Sequence, residues 1–214
     1  MIAVMGDDPS LRKVPCGIFP PGSPMASDAG MDNILPRPDY DRARRALQAA
    51  GYNGETIALM APTDFPIIKA LSDVAADMMR RSGMNVDYQA IDFGTMAQRR
   101  VNKKPPAEGG WNAFCSISSS SDCFTPATNN VLRGNGEKAW FGWSSSPRIE
   151  ELRDAWFDAP DLAAQKKIAA EIQAQAFVDV PYLPLGMFYS PSVYRRDVTD
   201  IVHGFPIFWN MRRA

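Results

Sequence analysis

One stretch of the chain, residues 51–92, has the pattern of a strand, a helix and a second strand in succession. Residues 56–61 are mostly apolar on both faces of an extended segment, which predicts a strand covered on both sides. A helix should follow, with Asp64 as its N-cap, Pro66 in its first turn and Gly83 at its end. Its apolar residues recur at helical spacing: Ile67, Leu71, Val74 and Met78. Because such a crossover joins parallel strands, we predict a βαβ unit, an α/β fold class and a first strand in the middle of the sheet.

The rest of the chain divides by its composition. Residues 15–38 are so rich in Pro, Gly and Ser that they predict an extended connector crossing a surface. A short amphipathic helix is expected over 39–51, a helix after residue 92, a third strand over 111–118 and a helical hairpin over 146–179. The tail that follows alternates Pro, Gly and aromatic residues, which predicts short extended pieces.

The charge balance argues against polyanion partners. Lys and Arg number 23 and Asp and Glu number 24, and the pI is near 5.9, so no field would gather nucleic acid or anionic lipid. No apolar run approaches the roughly 18 to 20 residues that cross a bilayer, so direct membrane insertion is not expected. Residues 1–13 lack the pattern of a secretion signal.

The cysteines and the histidine restrict the chemistry. Three cysteines and the single His203 cannot supply zinc-ligand spacing, so we expect neither a metal nor a cofactor. Cys115 and Cys123 flank a serine-rich loop, and whether they form a disulfide stays open. A small hydrolase or transferase that uses Cys16, Cys115 or Cys123 with His203 as base is the alternative function, but none of these cysteines lies on a strand-to-helix elbow. We therefore expect no catalytic residue.

Candidate ligand contacts follow the third predicted strand, because ligands of open α/β sheets gather outside the carboxyl ends of strands. Trp111 and Phe114 are expected to form an apolar wall, with Asn112 and the loop 118–121, including Ser118 and Ser119, as polar contacts. Trp140 and Trp143 supply further aromatic surface. Against these assignments, a tryptophan is often a core residue and a serine run is often a solvated loop.

Four basic residues at the end of the helix after the second strand are candidates for an anion-binding patch, but we assign them no site, since cations at a helix end are usually solvated and favoured by the helix dipole. They are Arg99, Arg100, Lys103 and Lys104.

Several strings, in this order and spacing, resemble the carboxyl-terminal lobe of family 5 extracellular solute-binding proteins, the receptors of oligopeptide, dipeptide and nickel ABC importers. The strings are YDRARRALQAAGYNGETIALMAP, VAADMMRRSGMNVDYQAIDFGTMAQRR, GGWNAF, FVDVPYLPLGMFYSPSVYRRDV and FPIFWN. The resemblance runs from about residue 5 to residue 210.

The resemblance implies a lobe of the type II periplasmic-binding-protein kind, a sheet of βαβ units covered by helices, truncated so that the amino-terminal lobe is lacking. It also implies a connector or hinge-side segment over 1–38, a solute-binding lobe over 39–181 and a return segment toward the other lobe over 182–214. The implied function is to bind a small organic solute or peptide between two lobes, without catalysis, and to deliver it to the permease subunits of an ABC importer. The location of the intact protein would be periplasmic or extracytoplasmic.

The resemblance also bears on the solute. In peptide-binding members, the strand matching GGWNAF carries a Trp, which Trp111 matches, and three positions later an Asp that receives the α-ammonium of the peptide. Phe114 stands at that Asp position, and a buried ammonium without a counter-ion costs several kcal/mol. Two alternatives stay open: a weaker cation–π contact with the ring face of Phe114, and Asp122 in a shifted register as the partner. A folded interaction domain without a pocket is a further alternative to the receptor.

Overall fold

The computed structural model describes residues 1–34, 37–202, 204 and 207–214. Its helices are α1 Ile2–Met5, α2 Tyr40–Ala49, α3 Pro66–Arg81, α4 Phe93–Arg99, α5 Pro147–Phe157 and α6 Leu162–Asp179. Its strands are β1 Arg12–Lys13, β2 Thr56–Pro62, β3 Asn85–Ile91, β4 Ala113–Phe114, β5 Met187–Phe188, β6 Val198–Thr199 and β7 Arg212–Arg213. Short 3₁₀ turns lie at Pro9–Leu11, Met31–Asn33, Pro106–Glu108, Asn130–Leu132 and Gly136–Lys138.

A parallel sheet with the order β3-β2-β4 confirms the predicted βαβ unit and the α/β class. The strand β2 lies in the middle, as predicted, and its residues 58–62 are buried. It pairs with β3 along its whole length, from Thr56 opposite Asn85 to Pro62 opposite Ile91. The third strand is shorter than predicted, because after Phe114 the chain leaves the ladder and Cys115 packs against α3.

Two details of α3 differ from the prediction. Val74 and Met78 are 41% and 42% exposed, whereas Ile68, Leu71, Ser72 and Ala76 are buried, so the buried stripe is rotated by about one residue. Ser72 and Ala76 are small, which lets the helix approach the sheet closely. Asp64 is not the cap: Phe65 is the N-cap residue, without a side-chain cap bond, and the Asp64 carboxylate accepts a hydrogen bond from Phe93 N at 2.7 Å. Asp64 therefore ties the end of β2 to the start of α4.

The helices α5 and α6 pack as the predicted hairpin and form a second core. Ile149, Leu152 and Trp156 of α5 are buried, as are Ile172 and Ala176 of α6. Each helix has a polar N-cap, Ser146 and Asp161, whose side chain accepts a hydrogen bond from the first turn.

The connector of residues 15–38 is irregular, as predicted, but the prediction that it crosses a surface is wrong. Residues 16–20 are buried, and Ile18, Phe19 and Met25 pack into the core of the hairpin. Leu35 and Pro36 of this segment lie outside the described residues.

The side chain of Gln173, in α6, hydrogen-bonds to backbone groups of the connector that have no partners in a helix or a sheet. Its side chain is fully buried, its Oε1 accepts a hydrogen bond from Ile18 N at 3.0 Å, and its Nε2 donates to the carbonyls of Ser27 and Ala29 at 2.8 and 3.0 Å. A backbone without ladder partners needs such bonds when it is buried.

The tail is built from short strands. The antiparallel pair β1 and β5 joins it to the first residues of the chain, and β6 pairs with β7. Among the described residues, no helix is both long and apolar enough to cross a membrane.

We predict that Gln173→Leu lowers the free energy of unfolding by about 2 to 5 kcal/mol, because it leaves several buried connector groups without partners. Urea denaturation followed by circular dichroism measures this change. Gln165→Leu in the first turn of the same helix is the matched control, since no described residue hydrogen-bonds to its side chain. Equal losses for the two variants would contradict this role of Gln173.

Candidate ligand-binding site

A cleft of about 280 Å³ lies where the three parallel strands end. Phe65 follows β2, Phe93 follows β3 and Ser116 follows β4, and all three line the cleft. The rings of Phe65 and Phe93 lie 5.2 Å apart between centroids and form part of its apolar surface. The cleft therefore occupies the edge at which ligands of open α/β sheets bind.

An aromatic cluster lies beside the cleft and contributes one residue, Trp140, to its lining. We call Trp111, Phe114, Trp140, Phe141 and Trp143 the aromatic cluster. The ring of Phe114 meets that of Trp111 edge-on at 4.8 Å and lies 5.7 Å from that of Trp140, and Trp111 lies 5.7 Å from Trp143. Such edge-to-face and tilted contacts fix the rings in place.

The structure brings together four of the residues proposed from the sequence, Trp111, Phe114, Trp140 and Trp143. Of these, only Trp140 lines the cleft; Phe114 contacts the ring of Trp140, and Trp111 contacts that of Phe114. The indole N–H of Trp111 donates to the carbonyl of Arg100 at 3.1 Å, which links the cluster to the end of α4.

Two cations lie on the aromatic cluster. The guanidinium carbon of Arg100 lies 4.3 Å from the ring centroid of Phe141 and 5.9 Å from that of Trp140, and Lys103 Nζ lies 5.2 Å from that of Trp143. These are distances of cation–π contact. Arg100 also lines the cleft.

Asn112 is engaged in the sheet. Its Oδ1 accepts a hydrogen bond from Ala58 N at 2.9 Å, and its own N–H donates to Ala58 O at 3.0 Å. The residue thus continues the pairing of β4 with β2 by one position. A polar contact from Asn112 to a ligand stays a prediction.

The serine loop lies at the mouth of the cleft. Ser118 lines the cleft, whereas Ser119 donates from its backbone N–H to an Asp122 carboxylate oxygen at 3.2 Å and contacts Ser121 through its hydroxyl group. Asp122 also lines the cleft. The carboxylate of Asp122 and the guanidinium of Arg100 therefore face the same space without forming an ion pair among the described residues.

The cysteines show no sign of activation. All three are unpaired, and burial raises the pKa of Cys16 and of Cys115. Burial, together with the charge of Asp122 and the neighbouring Cys16, raises the pKa of the Cys123 thiol to about 11. A nucleophilic cysteine needs a lowered pKa. His203, the base in the alternative function, lies outside the described residues, and among those described no group of three or more His, Cys, Asp or Glu side chains is close enough to bind a metal.

Phe65 and Phe93 were not among the predicted site residues, and Arg100 was considered for an anion-binding patch but assigned no site. The two phenylalanines carried a usable signal, because each directly follows a predicted strand of the sheet. Arg100 carried none, since its aromatic partners lie far along the chain in a segment without a predicted element.

Comparison with known proteins confirms the resemblance to solute-binding proteins. The chain is 30% identical over 208 residues to y4tO of Sinorhizobium fredii, named a probable peptide ABC transporter periplasmic-binding protein, and the match covers 97% of this chain and 39% of that protein. No protein-family model matches the chain.

Solved structures show the same fold. The dipeptide-binding protein of Pseudoalteromonas sp. SM9913, solved with Met-Leu, has a TM-score of 0.66 at 18% identity and matches 95% of this chain and 40% of its own. The binding protein AgaA from A. tumefaciens R10, solved with agropinic acid, has a TM-score of 0.70 at 18% identity and matches 96% of this chain and 43% of its own. The chain thus has the fold of a type II periplasmic-binding-protein lobe and spans about two fifths of the length of these proteins.

We predict that Asn112→Ala lowers the free energy of unfolding by about 1 to 2 kcal/mol, because the N–H of the buried Ala58 loses its acceptor. Asn112→Asp keeps an acceptor oxygen at the same place and is the matched control. Urea denaturation of both variants measures the difference. If Asn112→Ala is as stable as the original chain, the side chain is not needed in the sheet.

We also predict slow alkylation of Cys123. With a pKa of about 11, its thiolate fraction at pH 8 is on the order of 100-fold below that of an ordinary thiol. Peptide mapping after timed iodoacetamide labelling measures the rate, which should rise about tenfold for each pH unit between 7 and 9. The urea-unfolded chain is the control. A rate that levels off below pH 8 would indicate an activated thiol and favour the cysteine enzyme.

Proposed function

Taking the chain as a lobe of a solute-binding protein, we propose that it belongs to the receptor of an ABC importer and binds a small organic solute or peptide in the cleft at the ends of β2, β3 and β4. The observation that supports this most directly is the composition of the cleft. Phe65, Phe93 and Trp140 supply apolar and aromatic surface, and Arg100, Ser118 and Asp122 supply a few polar groups. Binding sites for small molecules combine such surfaces.

The proposed mechanism is closure of two lobes over the solute. The cleft is partly open to solvent, so a solute held only by this lobe would keep part of its surface in water. A second lobe that covers the solute adds contacts in the closed state alone, and this differential binding shifts the population toward closure. The closed form would then deliver the solute to the permease subunits, in a periplasmic or other extracytoplasmic compartment.

Binding is favoured over catalysis by the state of the titratable groups. The thiols have raised pKa values, and the Asp122 carboxylate accepts a backbone hydrogen bond. Among the described residues that line the cleft there is neither a histidine nor a second carboxylate. Acid–base and nucleophilic chemistry need groups with tuned pKa values next to one another. The same groups suffice to orient a solute.

Capture of a peptide ammonium through the position of Phe114 is not supported by the geometry. The Phe114 side chain carries no charge that could pair with an ammonium, and its ring already contacts those of Trp111 and Trp140, at 4.8 and 5.7 Å between centroids. Asp122 is the carboxylate that lines the cleft and is the proposed partner for a cationic group on the solute.

We predict that solutes perturb Trp140 and not the core tryptophan. The chain is labelled with ¹⁵N and titrated, one compound at a time, with amino acids, dipeptides, monosaccharides and metal chelates, while the indole N–H signals are followed. The Trp140 signal should move with an apparent Kd near the millimolar range, because one lobe supplies about half of the contacts of a roughly micromolar site. The signal of Trp156, which is buried in the hairpin core, should stay fixed.

Two variants distinguish binding in the cleft from binding elsewhere on the surface. With binding followed at the backbone N–H signal of Ser118, which also lines the cleft, Trp140→Leu should abolish the response, whereas Trp209→Leu, at a residue 87% exposed in the tail, should leave it unchanged. If no compound moves the Trp140 signal, or if Trp209→Leu removes binding as well, the proposed cleft is not the solute site. A sub-micromolar affinity for any peptide would contradict two claims: that this lobe supplies only about half of the contacts, and that Phe114 does not bind the peptide ammonium.

A further inference from the structure

Arg100 stands apart from the other buried or half-buried arginines of the described chain in the way its side chain is held. It caps the C-terminus of α4, and its guanidinium group lies over the ring of Phe141, with Trp140 beside it. The side chain lines the cleft, whereas Lys103, the other cation on the aromatic cluster, does not. The rings therefore hold a planar cation at the edge of the proposed solute site.

The guanidinium donors of Arg100 have no hydrogen-bond acceptor among the residues that the structure describes. Its Nε is buried and has no hydrogen-bond partner in the described part of the chain, and no described carboxylate pairs with its guanidinium group. Its neighbour Arg99 differs, because its Nε and Nη2 donate to Gly109 O and Gly110 O at 2.6 Å each. Arg153 contacts Glu150 and the carbonyl of Pro126. A guanidinium group carries five donors in a fixed fork, and a buried donor without an acceptor is destabilising.

We propose that Arg100 binds a carboxylate group of the solute, a step that rests on the proposed function of the cleft. The guanidinium carbon lies over the ring of Phe141 at 4.3 Å, and no described residue accepts a hydrogen bond from the guanidinium group, in whose plane arginine binds a carboxylate with two parallel bonds. The solute would supply the acceptors that the described residues do not. The solute class is therefore an organic acid, with its apolar part against Trp140.

The geometry favours a carboxylate over a phosphate group. A phosphate dianion is usually held by several cations or backbone N–H groups, whereas Arg100 is the single cationic side chain among the described residues that line the cleft. Asp122 lines the same cleft and would repel a second negative charge. A solute that also carries a cationic group could place it toward Asp122.

The test compares two probes that differ in one group, N-acetyl-L-leucine with its carboxylate and N-acetyl-L-leucinamide with a neutral amide. Each is titrated into the ¹⁵N-labelled 214-residue chain, and Kd is read from the Trp140 indole signal. The original chain should bind the acid at least about tenfold more tightly than the amide, as expected for a charge-assisted bidentate contact. Arg100→Met should bring the two affinities to within about twofold of each other.

Lys103→Met is the matched control, because it removes one positive charge from the same aromatic cluster without touching the cleft lining, and it should keep the preference for the acid. Arg100→Lys keeps the charge but loses the planar fork, so it should retain only part of the preference. It also serves as the second variant if Arg100→Met does not fold, which its melting curve shows.

The proposal is overturned if the original chain binds both probes equally, if neither probe moves the Trp140 signal, or if the Arg100 variants keep the full preference for the acid. The first and second outcomes remain distinguishable from failure of the proposed function. In those cases, a response of Trp140 to the amide or to another compound of the solute panel would keep the cleft as a solute site and remove only the carboxylate assignment.

Discussion

The parallel pairing of β2 with both of its neighbours is the constraint on which the rest of the site depends. Seven consecutive residues of β2 pair with β3, and Leu59 and Met60 pair with β4. Because the three strands run in the same direction, the segments that leave them emerge at one edge of the sheet. Phe65, Phe93 and Ser116 come together there from distant parts of the sequence, and Asp64 fixes two of these segments to each other through Phe93 N.

The aromatic cluster adds aromatic rings and a bound arginine side chain to that edge of the sheet. Trp111 connects the start of β4 with the end of α4 through its hydrogen bond to Arg100 O. The ring of Phe114, in β4, in turn contacts the ring of Trp140 and helps to position it. The guanidinium group of Arg100 thus contacts aromatic rings, and none of the described carboxylates pairs with it. A cation kept in place in this way costs little reorganisation when a solute binds, which is what preorganisation contributes to affinity.

The second core serves the site indirectly. The hairpin of α5 and α6 and the buried connector form a unit around Phe19, Leu132 and Ile172, and Gln173 secures the connector within it. Asn129, which lines the cleft, donates to Tyr182 Oη at 3.1 Å, and that hydroxyl group in turn donates to Ile18 O at 3.3 Å. One side of the cleft is thus anchored in the hairpin unit and the other in the sheet.

The helices and strands of this fold could largely be predicted from the sequence, whereas the contacts between residues distant in sequence could not. The βαβ unit was predictable because Pro66 and Gly83 mark the ends of α3 and the apolar pattern changes period between them. The buried face of α3 was assigned wrongly, since Val74 is more apolar than Ser72 but too large for a close approach to the sheet. The connector was placed on the surface because its composition gives no sign of Gln173, a single buried polar residue distant in sequence. Arg100 was assigned no site for a similar reason: nothing near it in the sequence distinguishes a solvated arginine from one that contacts Phe141.

The most direct test of the central claim, that a solute binds at the strand ends beside Trp140, is a set of intermolecular nuclear Overhauser effects between a bound solute and the chain. The account predicts contacts from the solute to the ring protons of Trp140, Phe65 and Phe93. Contacts confined to the hairpin or to the tail strands, with none to these three rings, would contradict it.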